Sequence, residues 1–282
     1  MLDSRHVRRR FERAAASFDD ADFVHTVTRE GLLARLQPLV VEAGTVLDLG
    51  SATCSTSQAL SKRFGRAHII SVDLAHNMLQ RGRKKRAWFS RSSFVQATAA
   101  ALPFSAQSID VVFANLLLPW VDDPNQVFSE IARVLRKGGV FAFATLGPDS
   151  LLEIRRAWAQ VDDRAHVNDF LDMHDLGDGL VNAGLADPVL DVDRLSVSYD
   201  STQKLFADLT AMGGRNALRQ RNHALVGKQH FRHMTEELQR SGAGGKITLD
   251  LELVFGHCWG AGPRMDATNY RIDANTIPRR KT

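Results

Sequence analysis

Apolar segments and amphipathic segments alternate along the middle of the chain. The apolar segments are short and nearly continuous, which is typical of strands in a parallel sheet with helices on both faces. They lie at Val46–Gly50, His68–Asp73, Ser93–Ala97, Ile109–Leu117 and Gly139–Leu146. Segments with helical spacing follow them, at Ser57–Phe64, His76–Arg86, Asn125–Arg136 and Ser150–Val161. This alternation predicts an α/β fold on a doubly wound, mostly parallel sheet.

The hydrophobic period changes beyond residue 186. Two long segments, Val189–Tyr199 and Lys246–Trp259, are predicted as strands, which brings the expected sheet to seven strands. The second alternates between apolar and polar residues from Ile247 onward. Such alternation indicates a strand with one wet face, in an antiparallel pair at the edge of the sheet. Two more helices, Arg5–Phe18 and Thr26–Val40, are predicted ahead of the sheet.

The segment between the two late strands is long for a connection. It has helical spacing over Ser201–Arg240, is broken at Gly213-Gly214, and is expected to form a lid or small subdomain. Lys137-Gly138-Gly139 is expected to end the helix that precedes strand five. We therefore divide the chain into N-terminal helices (1–40), a binding core (41–200), a helical insertion (201–245), the last strand (246–260) and a flexible tail (261–282).

Composition places the chain among globular proteins. Of its 282 residues, 44% are hydrophobic and 24% are charged. No apolar run approaches the roughly 20 residues that span a bilayer, so no membrane association is expected. Cys54 and Cys258 are too few for a zinc cluster, and a cytoplasmic location is expected. No metal site is predicted at His223, His230 and His233, because such spacing on a basic helix is more typical of solvated surface.

The charge distribution favours an acidic partner. The formal net charge is +4, and one stretch without an acid, Arg81–Arg91, holds many of the basic residues. A second basic stretch covers Arg5–Arg13. No nucleic-acid reading motif accompanies either stretch, so nucleic acid is not the expected partner.

The clearest chemical signal lies between residues 45 and 54. An apolar strand ends there on Gly50, and a helix can begin at Ser55 or Thr56, since their hydroxyls accept hydrogen bonds from first-turn amides. A strand, a glycine turn and a helix N-terminus form a nucleotide crevice at the carboxyl edge of a sheet. Asp73 ends the next strand, where its carboxylate can bind two ribose hydroxyls. These features predict an adenosine-containing ligand.

The turn has an acid that the dinucleotide fingerprint lacks, Asp48, two residues before Gly50. With it the turn resembles the Asp-x-Gly-x-Gly-x-Gly motif of class I S-adenosylmethionine-dependent methyltransferases. The second and third glycines of the motif are Ala52 and Cys54 here. We expect this difference to weaken cofactor binding or shift the loop, with Cys54 narrowing the methionine slot. The resemblance implies S-adenosylmethionine as cofactor, bound by Asp48, Gly50, Ser51, Asp73, Leu74, Thr98, Ala99 and Asn115.

Further segments resemble the malonyl-acyl-carrier-protein O-methyltransferases of biotin synthesis. They are Phe11–Phe18, Asn115–Trp120, Phe143–Leu151 and Ala157–His166, with Asn168 and Phe170. The resemblance covers residues 5 to 260 and implies methyl transfer to the free carboxylate of a malonyl thioester on acyl carrier protein, the implied partner. Related mitochondrial proteins share the pattern near the C-terminus, but serve complex I assembly as protein-arginine hydroxylases. A methyltransferase-fold assembly factor or hydroxylase is therefore the alternative, because fold alone does not separate the two.

The implied substrate sets the chemistry of the site. A carboxylate is already ionised at neutral pH, so the nucleophile needs no general base, and no catalytic residue is assigned. A buried carboxylate must be paired, which calls for a cation or several donors. Arg155, Arg164 and His166 follow strand five, on the side where substrate is expected, and Phe18 is expected near the entrance of the site.

Overall fold

A computed structural model describes residues 1–86, 91–221, 227–240 and 245–262. In this part of the chain seven strands form one sheet: β1 Thr45–Leu49, β2 His68–Asp73, β3 Ser92–Gln96, β4 Ile109–Asn115, β5 Leu135–Leu146, β6 Leu185–Tyr199 and β7 Ile247–Gly260. The helices are α1 Ser4–Ala14, α2 Phe23–Leu36, α3 Ser55–Arg63, α4 His76–Lys84, α5 Pro124–Val134, α6 Leu152–Ala159, α7 Met173–Asn182, α8 Thr202–Ala211 and α9 Lys228–Arg240. The predicted tail lies almost entirely outside the described residues.

The strands lie in the order β3-β2-β1-β4-β5-β7-β6. The first five are parallel, and β7 runs antiparallel between β5 and β6. The predicted fold class is confirmed, including the two helices, α8 and α9, before the last strand. The order reverses direction at β1, so the carboxyl ends of β1 and β4 flank a crevice, where ligands bind in open α/β sheets.

Helices bury both faces of the sheet. All seven residues of β4 are buried, and Phe113 faces one core while its neighbour Val112 faces the other. Helices α5 and α7 cover one face; α2 and α3 cover the other. This double cover explains the continuous apolar runs of the central strands. Among the described residues, no helix combines the length and the apolar character that crossing a membrane requires.

Several predicted boundaries were wrong. The first helix ends at Ala14, and Phe18 begins a separate 3-10 turn. The second helix ends at Leu36, because Pro38 has no N–H to continue it. Helix α5 ends at Val134, so Lys137-Gly138-Gly139 does not end it as predicted. Gly138 (φ 74°) lies within β5 instead, where the pairing with β4 shifts register.

Helix α7 was not predicted at all. Its interior glycine, Gly179, lowers helix propensity, yet it is required because an added Cβ would lie 2.8 Å from Asn125 Oδ1 and 3.1 Å from the Phe128 ring on α5.

The alternation in β7 holds up to Leu253, and then Val254 and Phe255 are both buried. There the strand lies between β5 and β6, and β6 forms the edge of the sheet.

Candidate active site

The loop after β1 reverses direction through three residues with left-handed backbone. Gly50 has φ 75°, Ala52 φ 44° and Cys54 φ 64°. The amides of Gly50 and Ser51 both donate to the Val72 carbonyl, at 2.8 and 3.0 Å, which ties the loop to β2. Left-handed backbone costs a residue with a side chain roughly 1–2 kcal/mol. Ala52 and Cys54 therefore adopt a conformation that glycine adopts without strain.

The Cys54 side chain does not enter the crevice. It is buried at 3% exposure and packs against Gly82 on α4, where an added Cβ would lie 2.2 Å from the Cys54 Sγ. The expectation that Cys54 narrows the methionine slot is wrong, because the glycine at 82 accommodates the thiol away from the crevice. Helix α3 begins at Ser55 as predicted, but its N-cap residue is Cys54, without a side-chain cap.

Asp73, at the end of β2, holds the same loop through its carboxylate. Its Oδ2 accepts a hydrogen bond from the Ala52 amide and its Oδ1 accepts one from the Ala75 amide, both at 2.8 Å. Each carboxylate oxygen has two lone pairs, so each keeps one for a further donor. Burial raises the pKa of Asp73 to about 6.

Asp48 and Ser51 are not among the described residues that line the crevice. Asp48 is 1% exposed, and its carboxylate accepts a hydrogen bond from the Ser57 hydroxyl on α3. Burial raises the pKa of Asp48 to about 7. Ser57 also bonds Ser71 at 2.7 Å, so Asp48 connects β1, α3 and β2 beneath the loop.

The first cavity, of about 290 Å³, opens where β1, β2 and β4 end. It brings together six of the predicted cofactor residues, from four segments of the chain: Gly50, Asp73, Leu74, Thr98, Ala99 and Asn115. Ala52 also lines it, as do Val7 and Phe11 from α1. The Thr98 hydroxyl accepts from the Ala100 amide at 3.3 Å, and it retains its own proton for donation.

Asn115 and His25 both line this cavity, and each has a buried polar atom without a hydrogen-bond partner among the described residues. Asn115 donates through Nδ2 to the His25 carbonyl at 2.9 Å, while its buried Oδ1 has no partner. The buried Nδ1 of His25 has none either. Burial lowers the pKa of His25 to about 4, with a smaller contribution from the charge of Arg29, so the ring is neutral near pH 7. Buried polar atoms without partners are rare in folded proteins, so these two fit a polar ligand.

A second cavity of about 470 Å³ lies beside the first. Its lining is mostly apolar and aromatic, and the described lining residues include three arginines, two histidines and no acid. Helices α8 and α9 help to enclose it, through Phe206, Leu209 and Phe231. Three residues line both cavities: His25, Leu116 and Trp120. A chemical group transferred from a ligand in one cavity to a ligand in the other would pass these three residues.

The predicted substrate residues are spread over different places. Phe18 lines the first cavity, with its ring centroid 4.9 Å from that of His25. His166 lines the second, stacked at 3.7 Å on Trp158 and bonded to Asp162 at 2.7 Å.

Arg155 and Arg164 do not line either cavity. Arg155 donates to the Asn168 carbonyl at 2.5 Å and lies 3.4 Å from the Asp169 carboxylate, so it organises the loop after α6. Arg164 is exposed. His230 and His233 are exposed as well, while His223 lies outside the described residues. The structure does not bring these two arginines to the cavity, because Arg155 on α6 is bound to Asn168 and Asp169 and Arg164 is exposed.

The sequence interpretation missed His25, Arg10, Arg215 and Arg221. One signal was available for Arg10, which lies three residues after buried Val7 and four before buried Ala14, on the inner face of α1. The other three give no local signal, because distant segments bring them to the cavity.

Comparison with known proteins gives consistent matches. A family model described as a methyltransferase domain matches residues 47–143. A malonyl-acyl-carrier-protein O-methyltransferase from Gallionella capsiferriformans is 35% identical over 272 residues, which cover 94% of each chain. A protein of the same name from Laribacter hongkongensis is 38% identical over 265 residues, covering 91% of this chain and 89% of its own.

Solved structures share the fold at low identity. A putative methyltransferase from Bacillus halodurans superposes with a TM-score of 0.59 at 16% identity, covering 83% of this chain and 99% of its own. A Haemonchus contortus phosphoethanolamine N-methyltransferase solved with S-adenosylhomocysteine has a TM-score of 0.51 at 17% identity, covering 84% of this chain and 52% of its own.

Proposed function

The chain belongs to the family of malonyl-acyl-carrier-protein O-methyltransferases, and we propose that it methylates the free carboxylate of a malonyl group on acyl carrier protein, as in biotin synthesis. The observation that carries this proposal is the pair of cavities that meet at His25, Leu116 and Trp120. One cavity has the donors and acceptors of a nucleoside site, and the other is apolar and basic. Full-length relatives that share one name do not favour the alternative of an assembly factor or arginine hydroxylase.

The residues of the first cavity fit S-adenosylmethionine, which supplies an electrophilic methyl group on a sulfonium. Asp73 accepts the ribose hydroxyls through its remaining lone pairs. Leu74, Thr98 and Ala99 flank the adenine, and the unpartnered Asn115 Oδ1 accepts from the methionine ammonium. Gly50 supplies the left-handed turn of the loop, the Ser51 amide ties the turn to β2, and Asp48 ties β1 to α3.

Methyl transfer to a carboxylate places few demands on acid–base chemistry. The carboxylate is ionised at neutral pH, and neutral His25 is not required as a base. The chain contributes alignment across the shared wall and removal of water from the nucleophile, because the second cavity is predominantly apolar. Helices α8 and α9 of the predicted insertion cover this cavity through Phe206, Leu209 and Phe231.

The carrier protein docks on the basic surface formed by α1 and α4. These helices pack together, and Glu12 of α1 accepts hydrogen bonds from the His76 and Asn77 amides at the start of α4, at 2.9 and 2.7 Å. The exposed residues of this basic surface are Arg5, Arg8, Arg9, Arg13, Arg81, Arg83 and Lys84. Carrier proteins are small and acidic, so the opposite charges accelerate encounter and orient the acyl arm.

The cytoplasmic location of the protein stays a prediction.

Lys85 is excluded from this docking surface. Its ammonium lies 2.6 Å from the Asp19 carboxylate, which also accepts from the Thr53 hydroxyl at 2.5 Å. Lys85 thus anchors the loop after β1.

Titration calorimetry and a turnover assay test the proposal together. We expect heat on adding S-adenosylmethionine or S-adenosylhomocysteine, and release of S-adenosylhomocysteine with malonyl-carrier protein but not with acetyl-carrier protein. Binding without turnover of the malonyl substrate would reject the substrate assignment. An absence of binding to either compound would reject the cofactor assignment as well.

A further inference from the structure

We propose that Arg10, supported by Arg221 and Arg215, binds the free carboxylate of the substrate and selects acyl thioesters that end in a carboxylate. This inference rests on the proposed function and names the residues that recognise its substrate. All three arginines line the second cavity, the one beside the nucleoside site.

Arg10 is a half-buried cation that forms no ion pair with an acid of the described residues. Its Nη1 is buried and has no hydrogen-bond partner. The pKa of Arg10 is lowered to about 10, chiefly by burial and to a smaller extent by the charges of Arg221 and Arg215. A buried charge is costly unless it is paired, so this guanidinium favours an incoming anion.

Arg221 is fixed beside Arg10 by its own contacts. Its Nη1 donates to the Leu218 carbonyl and its Nη2 lies against His6 Nδ1, both at 3.0 Å. His6 lies one helical turn before Arg10 on α1, so the Leu218 loop and α1 hold the two guanidinium groups near each other. Two adjacent cations repel, and a bound carboxylate relieves that repulsion.

Other arginines in the described chain have a carboxylate as partner. Arg35 pairs with Asp191 and Asp193, and Arg133 pairs with Glu130. The second cavity has no acid among its described lining residues to serve Arg10 in this way. The substrate is therefore the source of the missing negative charge.

The position of the cluster also suits the reaction. Arg10 and His25 line the same cavity, and His25 belongs to the wall shared with the nucleoside site. A guanidinium can donate to both carboxylate oxygens and leave a lone pair on each oxygen for attack on the methyl carbon. Methylation removes the negative charge, so the ester product loses its hold on the arginines and dissociates more readily.

A binding experiment with small thioesters tests this role apart from carrier docking. Malonyl-pantetheine and acetyl-pantetheine are titrated into protein saturated with S-adenosylhomocysteine. The wild type is expected to prefer the malonyl compound by roughly tenfold or more, the scale of a charge-assisted hydrogen bond. Arg10→Met should remove most of that preference and leave acetyl affinity unchanged. Arg221→Met should weaken the preference in the same direction.

Arg66→Met is the matched control, because exposed Arg66 precedes β2 at the edge of the sheet opposite the cavities. It should keep the wild-type preference, and melting temperatures verify that all variants are folded. Folded Arg10 and Arg221 variants that keep the full preference would overturn the inference. If Arg10→Met weakened the binding of both thioesters equally, the inference would also be overturned, because Arg10 would then support the fold rather than the carboxylate. A wild type without any preference would instead count against the proposed substrate.

Discussion

At the scale of single residues, Asp73 determines how the nucleoside site responds to pH. Its carboxylate has a pKa of about 6 in the free protein, and it accepts ribose hydroxyls best when ionised. Glu12 on α1 and Asp48 on β1 are the neighbouring acids. Because a cofactor that binds the ionised form competes with a proton, affinity should fall as the pH drops through 6.

We predict that wild-type affinity for S-adenosylmethionine is constant above about pH 7 and falls on acidification toward pH 5. Asp73→Asn should bind about tenfold more weakly near neutral pH, since one charge-assisted interaction is worth roughly 1.5–3 kcal/mol. It should also lose the dependence on pH in this range. Calorimetric dissociation constants between pH 5 and 8 measure both effects. An equal slope in the variant would assign the titration to Asp48.

The sequence predicted the nucleoside residues because they belong to one local pattern. Gly50 follows β1, and Asp73 and Asn115 end β2 and β4. The apolar runs had located these strands, and the carboxyl ends of neighbouring parallel strands meet at one edge of a sheet. Arg10 and His25 could not be assigned in this way. Their roles depend on how α1 and α2 fold back over the sheet, which periodicity does not specify.

At the scale of elements, the loop after β1 packs directly against helix α4 through Cys54 and Gly82. Cys54 adopts left-handed backbone, and its thiol occupies the space that a side chain at Gly82 would need. The sequence showed the unusual cysteine but not its partner, because the two residues lie on different elements. The packing behind the loop therefore accommodates the cysteine side chain outside the crevice.

A double-mutant cycle should show this coupling. Gly82→Ala alone should destabilise the protein by about 1–3 kcal/mol, the usual cost of overpacking a core. Cys54→Gly removes the obstructing thiol, so Gly82→Ala should cost much less in that background, where alanine also favours the helix. Urea denaturation measures the four free energies of unfolding. Additive effects would show that the two positions do not interact. Cofactor affinity of Cys54→Gly should remain that of the wild type.

At the scale of the whole molecule, the basic surface lies next to the second cavity, because α1 belongs to both. Helix α1 carries exposed arginines of the basic surface and also supplies Arg10, so it contributes both to docking and to the substrate cavity. Exposed charges act through a field that salt screens over about 8 Å at physiological ionic strength. The surface should therefore affect encounter with a protein substrate far more than chemistry.

We predict that reversing Arg9, Arg13, Arg83 and Lys84 to glutamate raises the KM for malonyl-carrier protein several-fold and weakens its dependence on salt. Turnover of malonyl-pantetheine should be unaffected, because that substrate lacks the acidic protein. Steady-state kinetics at two ionic strengths measures the difference. An equal loss of activity with both substrates would show that these residues support the fold. No loss of activity with either substrate would show that the carrier docks elsewhere.

The alternation of strands and helices was enough to predict the sheet, since α/β proteins bury both sheet faces. It was not enough for α7, whose glycine at 179 is explained only by its contact with α5. The second cavity was equally out of reach, because α1, α2, α6, α8 and α9 all contribute to it. Long-range packing, rather than local preference, decides such features.

The central claim is that the chain transfers a methyl group to the carboxylate of malonyl-carrier protein. Intact-protein mass spectrometry tests it most directly, with malonyl-carrier protein incubated with enzyme and S-adenosylmethionine carrying an isotopically labelled methyl group. The account predicts that the carrier gains one labelled methyl group, that fragmentation locates it on the acyl chain, and that acetyl-carrier protein gains none. A malonyl-carrier protein of unchanged mass, or a label on the polypeptide instead of the acyl group, would contradict the account.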